Sequence, residues 1–221
     1  MHQRKSKKIL IYFFLLLLVG SINNINLNGL KFQNINNINI TGLDINNKLL
    51  LFKEIENFNL NNIFLINKID LKAEIESNPL VENYFIFRRY PSSLDINIEK
   101  TKFLAKINKD NQIFYIGSNG KFIKNNSFNN ELPFIFGNPE IFEFFKIKEI
   151  IDKSKISYTE IKNLYFFPSK RWDLELRNNT IIKLPNDNIS LALNLALEFL
   201  DDNEFIDARI ENQIILDDSR N

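Results

Sequence analysis

The clearest alternation of apolar and polar residues lies at 94–99, where Leu94, Ile96 and Ile98 are separated by Asp95 and Asn97 and followed by Glu99. A period of two predicts a strand with one wet face. Upstream, Val81 to Tyr90 is rich in aromatic and β-branched residues, which also predicts a strand. Pro91-Ser92-Ser93 supplies the turn between them, since proline presets its own φ. Pro79 stops the helix expected before it, because a residue preceding proline is pushed out of the helical region. The pattern is a hairpin preceded by a helix. Phe85 and Phe87 share one face of the first strand, opposite Tyr84, Ile86 and Arg88, and are expected to face the core.

The same reading extends in both directions. Ile38 and Ile40 alternate with Asn37 and Asn39, predicting a strand that ends at Gly42. Leu51, Ile55 and Phe58 fall at helical spacing and predict a helix over 49–58. Asn67, with Asp70 three residues on, reads as the cap of a second helix running to about Asn78. After Glu99, short strands are expected at 103–107 and 112–116 around the turn Asn108-Lys109-Asp110-Asn111. A further turn follows at Gly117-Ser118-Asn119-Gly120, and then Lys121-Phe122-Ile123. Asn138 is expected to cap a helix starting at Pro139, with Ile141, Phe144, Phe145 and Ile151 as its apolar face. Trp172, Leu174 and Leu176 alternate with charges and predict a strand. The strand turns at Asn178-Asn179 into 180–184, since Asn tolerates a left-handed backbone. Trp172 reads as a core anchor. Ile189, Leu193, Ala196, Leu197 and Leu200 mark an amphipathic helix, and Ile206 to Leu216 reads as one closing strand.

Composition removes most chemistry. The 221 residues include no cysteine, so disulfides and thiol nucleophiles are excluded. The one histidine is His2, ahead of any folded region, which leaves no histidine base or ordinary zinc site there. Glu140, Glu143, Asp201, Asp202 and Glu204 read as exposed surface, with Glu143 and Lys146 a simple surface pair. Ser118, Ser154 and Ser169 have no base to activate them. The reading contains no catalytic residue, metal ligand, cofactor or small-molecule substrate. Net charge of +1 gives no field for nucleic acid.

The N-terminus carries Arg4, Lys5, Lys7 and Lys8, then an unbroken apolar run from Ile9 to Val19. By length that run is nearer a signal-peptide core than the ~20 residues of a membrane span. Ile22, Ile25, Leu27 and Leu30 extend it, so an uncleaved anchor over 9–30 stands beside a cleaved signal. In either case the basic end stays cytoplasmic and the remainder is exported.

Several of these segments together resemble a known family. The residues that carry it are Pro79, Val81, Arg88, Arg89, Tyr90, Pro91, Leu94, Ile96, Ile98, Glu99 and Ala105. To them are added Leu132-Pro133 with Gly137, Trp172-x-Leu174-x-Leu176, and the closing Ile206-Asp207-Ala208-Arg209-Ile210. This order resembles the bacterial cell-division protein family FtsQ (DivIB), with its POTRA domain. Pro185 stands where the family has glycine, and Ala208 and Ile210 where it has Leu and Tyr.

The resemblance implies an α+β chain. A cytoplasmic tail (1–8) leads to an N-terminal transmembrane signal anchor (9–30) and a POTRA domain (33–101) of order β-α-α-β-β. A second, mixed α/β domain with an antiparallel sheet (102–216) and a tail (217–221) follow. It implies an uncleaved single-pass protein of the inner membrane with its bulk periplasmic, at the division septum. Its role would be a non-enzymatic divisome scaffold, linking early and late division proteins. FtsB-like (DivIC-like) partners in complex with FtsL would add a strand along the closing segment, at Ala208, Arg209, Ile210, Glu211, Asn212, Gln213, Ile214, Ile215 and Leu216. A recruitment surface on the second POTRA strand would use Asn83, Ile86 and Arg88. Arg209 reads equally as an interface hot spot or as a structural ion pair with Asp207 or Glu211. Arg88, Arg89, Lys100 and Lys102 read as strand-edge charge or as a surface facing partner or lipid. The alternative is a POTRA-type chaperone module of a secretion or outer-membrane assembly system. That reading calls for tandem units or a following β-barrel, and neither pattern recurs in the sequence.

Overall fold

The computed structural model describes residues 3–22, 35–57, 67–124, 131–200, 203–211 and 213–217. Ile25, Leu27, Leu30, Phe58, Asp201, Asp202, Asn212 and the tail 218–221 lie outside the described residues. The chain divides into two compact units, residues 1–75 with 85–97, and residues 76–84 with 98–221.

In the first unit, α1 (Gln3–Ile22) carries the apolar run, and every large apolar residue from Ile9 to Val19 is exposed. Among the described residues no helix is long and apolar enough to cross a membrane. After it come β1 (Asn37–Thr41), α2 (Ile45–Glu56), α3 (Lys68–Ser77), β2 (Val81–Arg89) and β3 (Ser93–Lys100). The order strand, helix, helix, strand, strand is the expected one. Helix α2 starts four residues earlier than its apolar spacing predicts. Asn67 caps α3 as expected: its side chain accepts from the Ile69 N–H at 3.0 Å and donates to Asp70 at 2.7 Å. The sheet has the order β1-β3-β2, with β1 parallel to β3 and Ile40 opposite Ile96. Ile40, Leu51, Ile55, Leu71, Ile75, Leu94 and Ile96 form the buried apolar set of this unit.

The face assigned to β2 is corrected. Phe85 and Phe87 are 54% and 52% exposed, while Tyr84, Ile86 and Arg88 are half-buried. Arg89 pairs with Asp95, and Asn83 donates to Glu99 at 3.1 Å, so odd-numbered residues of both strands share the face away from Leu94 and Ile96. Every position from 84 to 87 is apolar, so hydropathy alone could not fix the parity, and a one-residue shift swaps the faces.

The second unit is built on a nine-stranded sheet. Its strands are β4 (Phe103–Lys109), β5 (Gln112–Gly117), β6 (Phe122–Lys124), β7 (Phe134–Phe136), β8 (Ile161–Phe166), β9 (Trp172–Leu176), β10 (Ile181–Lys183), β11 (Phe205–Asp207) and β12 (Ile215–Asp217). The order is β12-β11-β10-β9-β8-β7-β4-β5-β6. The expected antiparallel sheet is instead mixed: β4 and β7, β7 and β8, and β10 and β11 run parallel. Parallel neighbours need a crossover. Helix α4 (Ile141–Asp152) lies between β7 and β8, and helix α5 (Ile189–Ala196) between β10 and β11.

Register places Ile107, Ile135, Leu164, Leu174, Ile182, Ile206 and Leu216 in one row across seven strands. All but Leu216 belong to the core, which Phe144, Ile147 and Ile151 of α4 and Ile189, Leu193 and Ala196 of α5 join. Trp172 is buried there against Phe166, as expected. Asp110 and Asn111 both adopt positive φ and form a two-residue hairpin turn, shorter than the expected turn Asn108-Lys109-Asp110-Asn111 because β4 continues to Lys109. Helix α4 starts later than expected and is capped by Glu140, not Asn138. The Glu143 side chain accepts from the Glu140 N–H at 2.9 Å, so its partner there is Glu140, not Lys146. Strand β8 has no counterpart in the sequence reading. Its pairing with β9 shifts register between Ile161 and Asn163, and that irregularity interrupts the period of two.

Candidate functional site

The segment predicted as one closing strand is two. Asp207 ends β11 because its carboxylate accepts from the Arg209 main-chain N–H at 3.1 Å, a local turn that competes with the ladder. A second turn, Gln213 N–H to Ile210 C=O at 3.1 Å, brings β12 back antiparallel to β11. The chain therefore closes as a hairpin, and β12 rather than β11 forms the sheet edge.

Hydrogen bonding fixes which groups of that edge are free. Ala208 donates to Lys183 C=O, and Ile181 donates to Glu204 C=O, both at 2.9 Å. Residues 204, 206 and 208 thus aim their main-chain groups at β10. Phe205 and Asp207 aim theirs at β12, opposite Asp217 and Ile215. In an antiparallel pair the direction alternates. Leu216, opposite Ile206, therefore points its N–H and C=O away from the sheet.

The side chains of this edge differ in access. Ala208 is buried, Ile214 is half-buried, and Arg209, Ile210, Glu211, Gln213, Ile215 and Leu216 are exposed. Beside them lies a groove of about 500 Å³, walled by Pro185, Leu191 and Leu195 on one side and by Ala208, Ile210 and Ile214 on the other. The sequence reading missed the α5 wall. Leu191 is 72% exposed, and the signal that could have marked it is a large apolar residue lying off the Ile189–Leu193–Ala196 face.

Charges cross the neighbouring strands. Lys183 stands between Asp173 and Asp207 in register. Arg209 grips Asp207, donating from Nε at 2.8 and 2.9 Å and from Nη2 at 2.6 Å. Those hydrogen bonds hold the Asp207 carboxyl below its usual range against its partial burial. Asp173 goes the other way. It is 5% exposed, burial pushes its carboxyl up, and its Oδ1 faces Arg171 Nε at 3.6 Å without a hydrogen bond. Of the two readings of Arg209, the ion pair with Asp207 is present.

The positions read as a recruitment surface do not share one face. Asn83 is exposed, whereas Ile86 and Arg88 are half-buried on the other side of β2. Among the described residues no group of three His, Cys, Asp or Glu could hold a metal ion. Residues 105–209 match the family model described as cell division protein FtsQ/DivIB, C-terminal. The search of curated proteins found no match.

Proposed function

From the match of residues 105–209 to the C-terminal model of the FtsQ/DivIB cell-division family, we propose that the chain is a member of that family and a binding scaffold of the division machinery. A small coiled-coil partner of the FtsB or DivIC kind, in complex with FtsL, adds a strand along β12. Main-chain hydrogen bonds then supply affinity and alternate side chains supply register. The feature that carries this reading is Leu216, whose N–H and C=O point away from β11 and meet no partner among the described residues, which makes them a docking point at the sheet edge. The groove beside α5 would take an apolar side chain from the partner. Closure of the edge also favours the reading, since an uncovered strand with Ile215 and Leu216 exposed is a hazard to a free protein.

The same proposal includes a membrane anchor. The run Ile9–Val19 is exposed throughout, and Lys5, Lys7 and Lys8 precede it, an arrangement that retains this end in the cytoplasm. Described alone, the run is shorter than the ~20 residues of a full crossing, so the anchor must draw on residues after Val19. Residues 33–101 act as a POTRA domain whose second strand takes part in recruitment, with the bulk of the chain periplasmic at the septum.

The test is binding of the full chain, in detergent, to the periplasmic segment of an FtsB-like partner. Leu216→Pro removes the outward donor and leaves the β11 pairing intact. We expect binding to fall at least ~10-fold, about 1.4 kcal/mol, with an unchanged melting temperature. Full-strength binding by a folded Leu216→Pro chain would refute strand addition at β12.

A further inference from the structure

The turn between β5 and β6 places a chemically labile pair where the fold needs it. Gly120 has φ +75°, and a Cβ there would come within 3.2 Å of Ile141 and 3.3 Å of Phe145, so any other residue would be strained. Asn119 is equally committed. Its amide donates to the Pro79 and Val81 carbonyls at 2.9 Å each, and its Oδ1 accepts from the Lys121 N–H at 3.0 Å. Lys121 adds contacts to the Glu76 and Asn78 carbonyls. Ser118 donates to Glu82 at 2.7 Å. The turn is thus a latch on segment 76–82.

We propose that Asn119 is a deamidation site guarded by the fold, so that its conversion makes an opening of segment 76–82 permanent. In the step, the Gly120 main-chain nitrogen attacks Asn119 Cγ and the Cγ–Nδ2 bond breaks. The proton from that nitrogen leaves with Nδ2 as ammonia, giving a succinimide. Water then opens the ring to aspartate or isoaspartate. Glycine in second place leaves the attacking nitrogen unhindered. In the closed turn that nitrogen donates its hydrogen to Gly117 C=O at 2.9 Å, and the carboxamide is held at three points. Neither group can reach the other until the turn opens. After conversion, a carboxylate faces the Pro79 and Val81 carbonyls with no hydrogens to offer, and the latch cannot re-form.

The experiment incubates the full chain in detergent under warm, mildly alkaline conditions, folded and in denaturant, and follows both Asn–Gly pairs by peptide mass spectrometry. Asn28–Gly29 serves as the internal clock. In denaturant the two pairs should convert at similar rates. In the folded chain Asn119 should lag its own denatured rate by at least ~10-fold, because reaction waits on local opening. Equal rates at Asn119 in the two conditions would overturn the guard. Hydrogen exchange on Asn119→Asp tests the latch: amides of 76–84 should exchange faster than in the parent, with those of Leu164 and Leu174 unchanged. Parent-like protection of 76–84 in that variant would overturn it.

Discussion

Arg209 and Asp207 form a closed fork two residues apart, and the acid is the buried member, with 7% of its side chain exposed against 42% for the arginine. The arginine therefore shapes the turn that ends β11 and keeps its outer face exposed. Arg209→Glu would set two carboxylates against each other beside Asp173. It should cost roughly 1–2 kcal/mol of stability, discounted for the exposed guanidinium. Urea unfolding measures this. A variant as stable as the parent would show that the fork is ornamental to the fold. Because of this cost, a binding loss in Arg209→Glu cannot be assigned to the interface alone, and Leu216→Pro is the cleaner probe.

The exposure of Phe85 and Phe87 predicts that Phe85→Ala and Phe87→Ala each change stability by less than ~1 kcal/mol. Leu94→Ala and Ile96→Ala, at fully buried positions, should each cost about 2–5 kcal/mol. Thermal melts of the four variants decide. A large loss at either phenylalanine would restore the opposite face assignment of β2.

Gly137 follows β7 with φ +96°, and a Cβ there would sit 2.2 Å from the Phe166 carbonyl oxygen. Backbone, not a flexible side chain, is what it would strike. Gly137→Ala should therefore lose more than ~2 kcal/mol, from the unfavourable φ together with the separation it forces on β7 and β8. Unfolding in denaturant that leaves the midpoint in place would contradict this.

Glu175 collects three donors on the open face of β8 and β9: Lys162 at 2.7 Å, Asn163 at 2.8 Å and Tyr165 at 2.6 Å. Partial burial alone would push its carboxyl up. The hydrogen bonds outweigh burial and hold it at about 2, against an ordinary 4.5. Tyr165 is pushed up to about 12, by burial first and by Glu175 second. A depressed carboxylate stabilises the fold above its unfolded value and loses that contribution as pH falls. Between about 4.5 and about 2 the protein should lose of order 1–3 kcal/mol through this group. Glu175→Gln should flatten that part of the acid unfolding curve. An identical curve in the variant would assign the acid sensitivity elsewhere.

The legible parts of the fold were those with one wet face. Leu94, Ile96 and Ile98 announce β3 because the polar residues Asp95 and Asn97 separate them, and the polar stretch Asn108-Lys109-Asp110-Asn111 announces a turn between two apolar runs. Illegibility has separate causes in three places. In β2 both faces are apolar across 84–87, so the parity was free. In β8 the irregular pairing at Ile161 hides the alternation. In the closing segment, hydropathy continues through Ile210 and Ile214, and the break lies in one carboxylate, Asp207, folding back on a main-chain N–H. The groove was beyond reach for another reason: its walls are some twenty residues apart in sequence, and only the parallel crossover through α5 brings them together. The anchor of the site, Arg209 with Asp207, was visible as one of two options that local sequence could not rank.

The apolar row that runs from Ile107 to Leu216 ends on a strand of three residues held from one side only. Such a margin opens at little free-energy cost. In the proposed complex a bound partner closes it, and anything that binds only the closed form lowers the open population by mass action. Supply of the partner would then govern how long each molecule survives, since a protease meets the open margin first. Copies without a partner would be cleared and engaged copies kept, so the cell would hold the two proteins near matched numbers without any dedicated regulator.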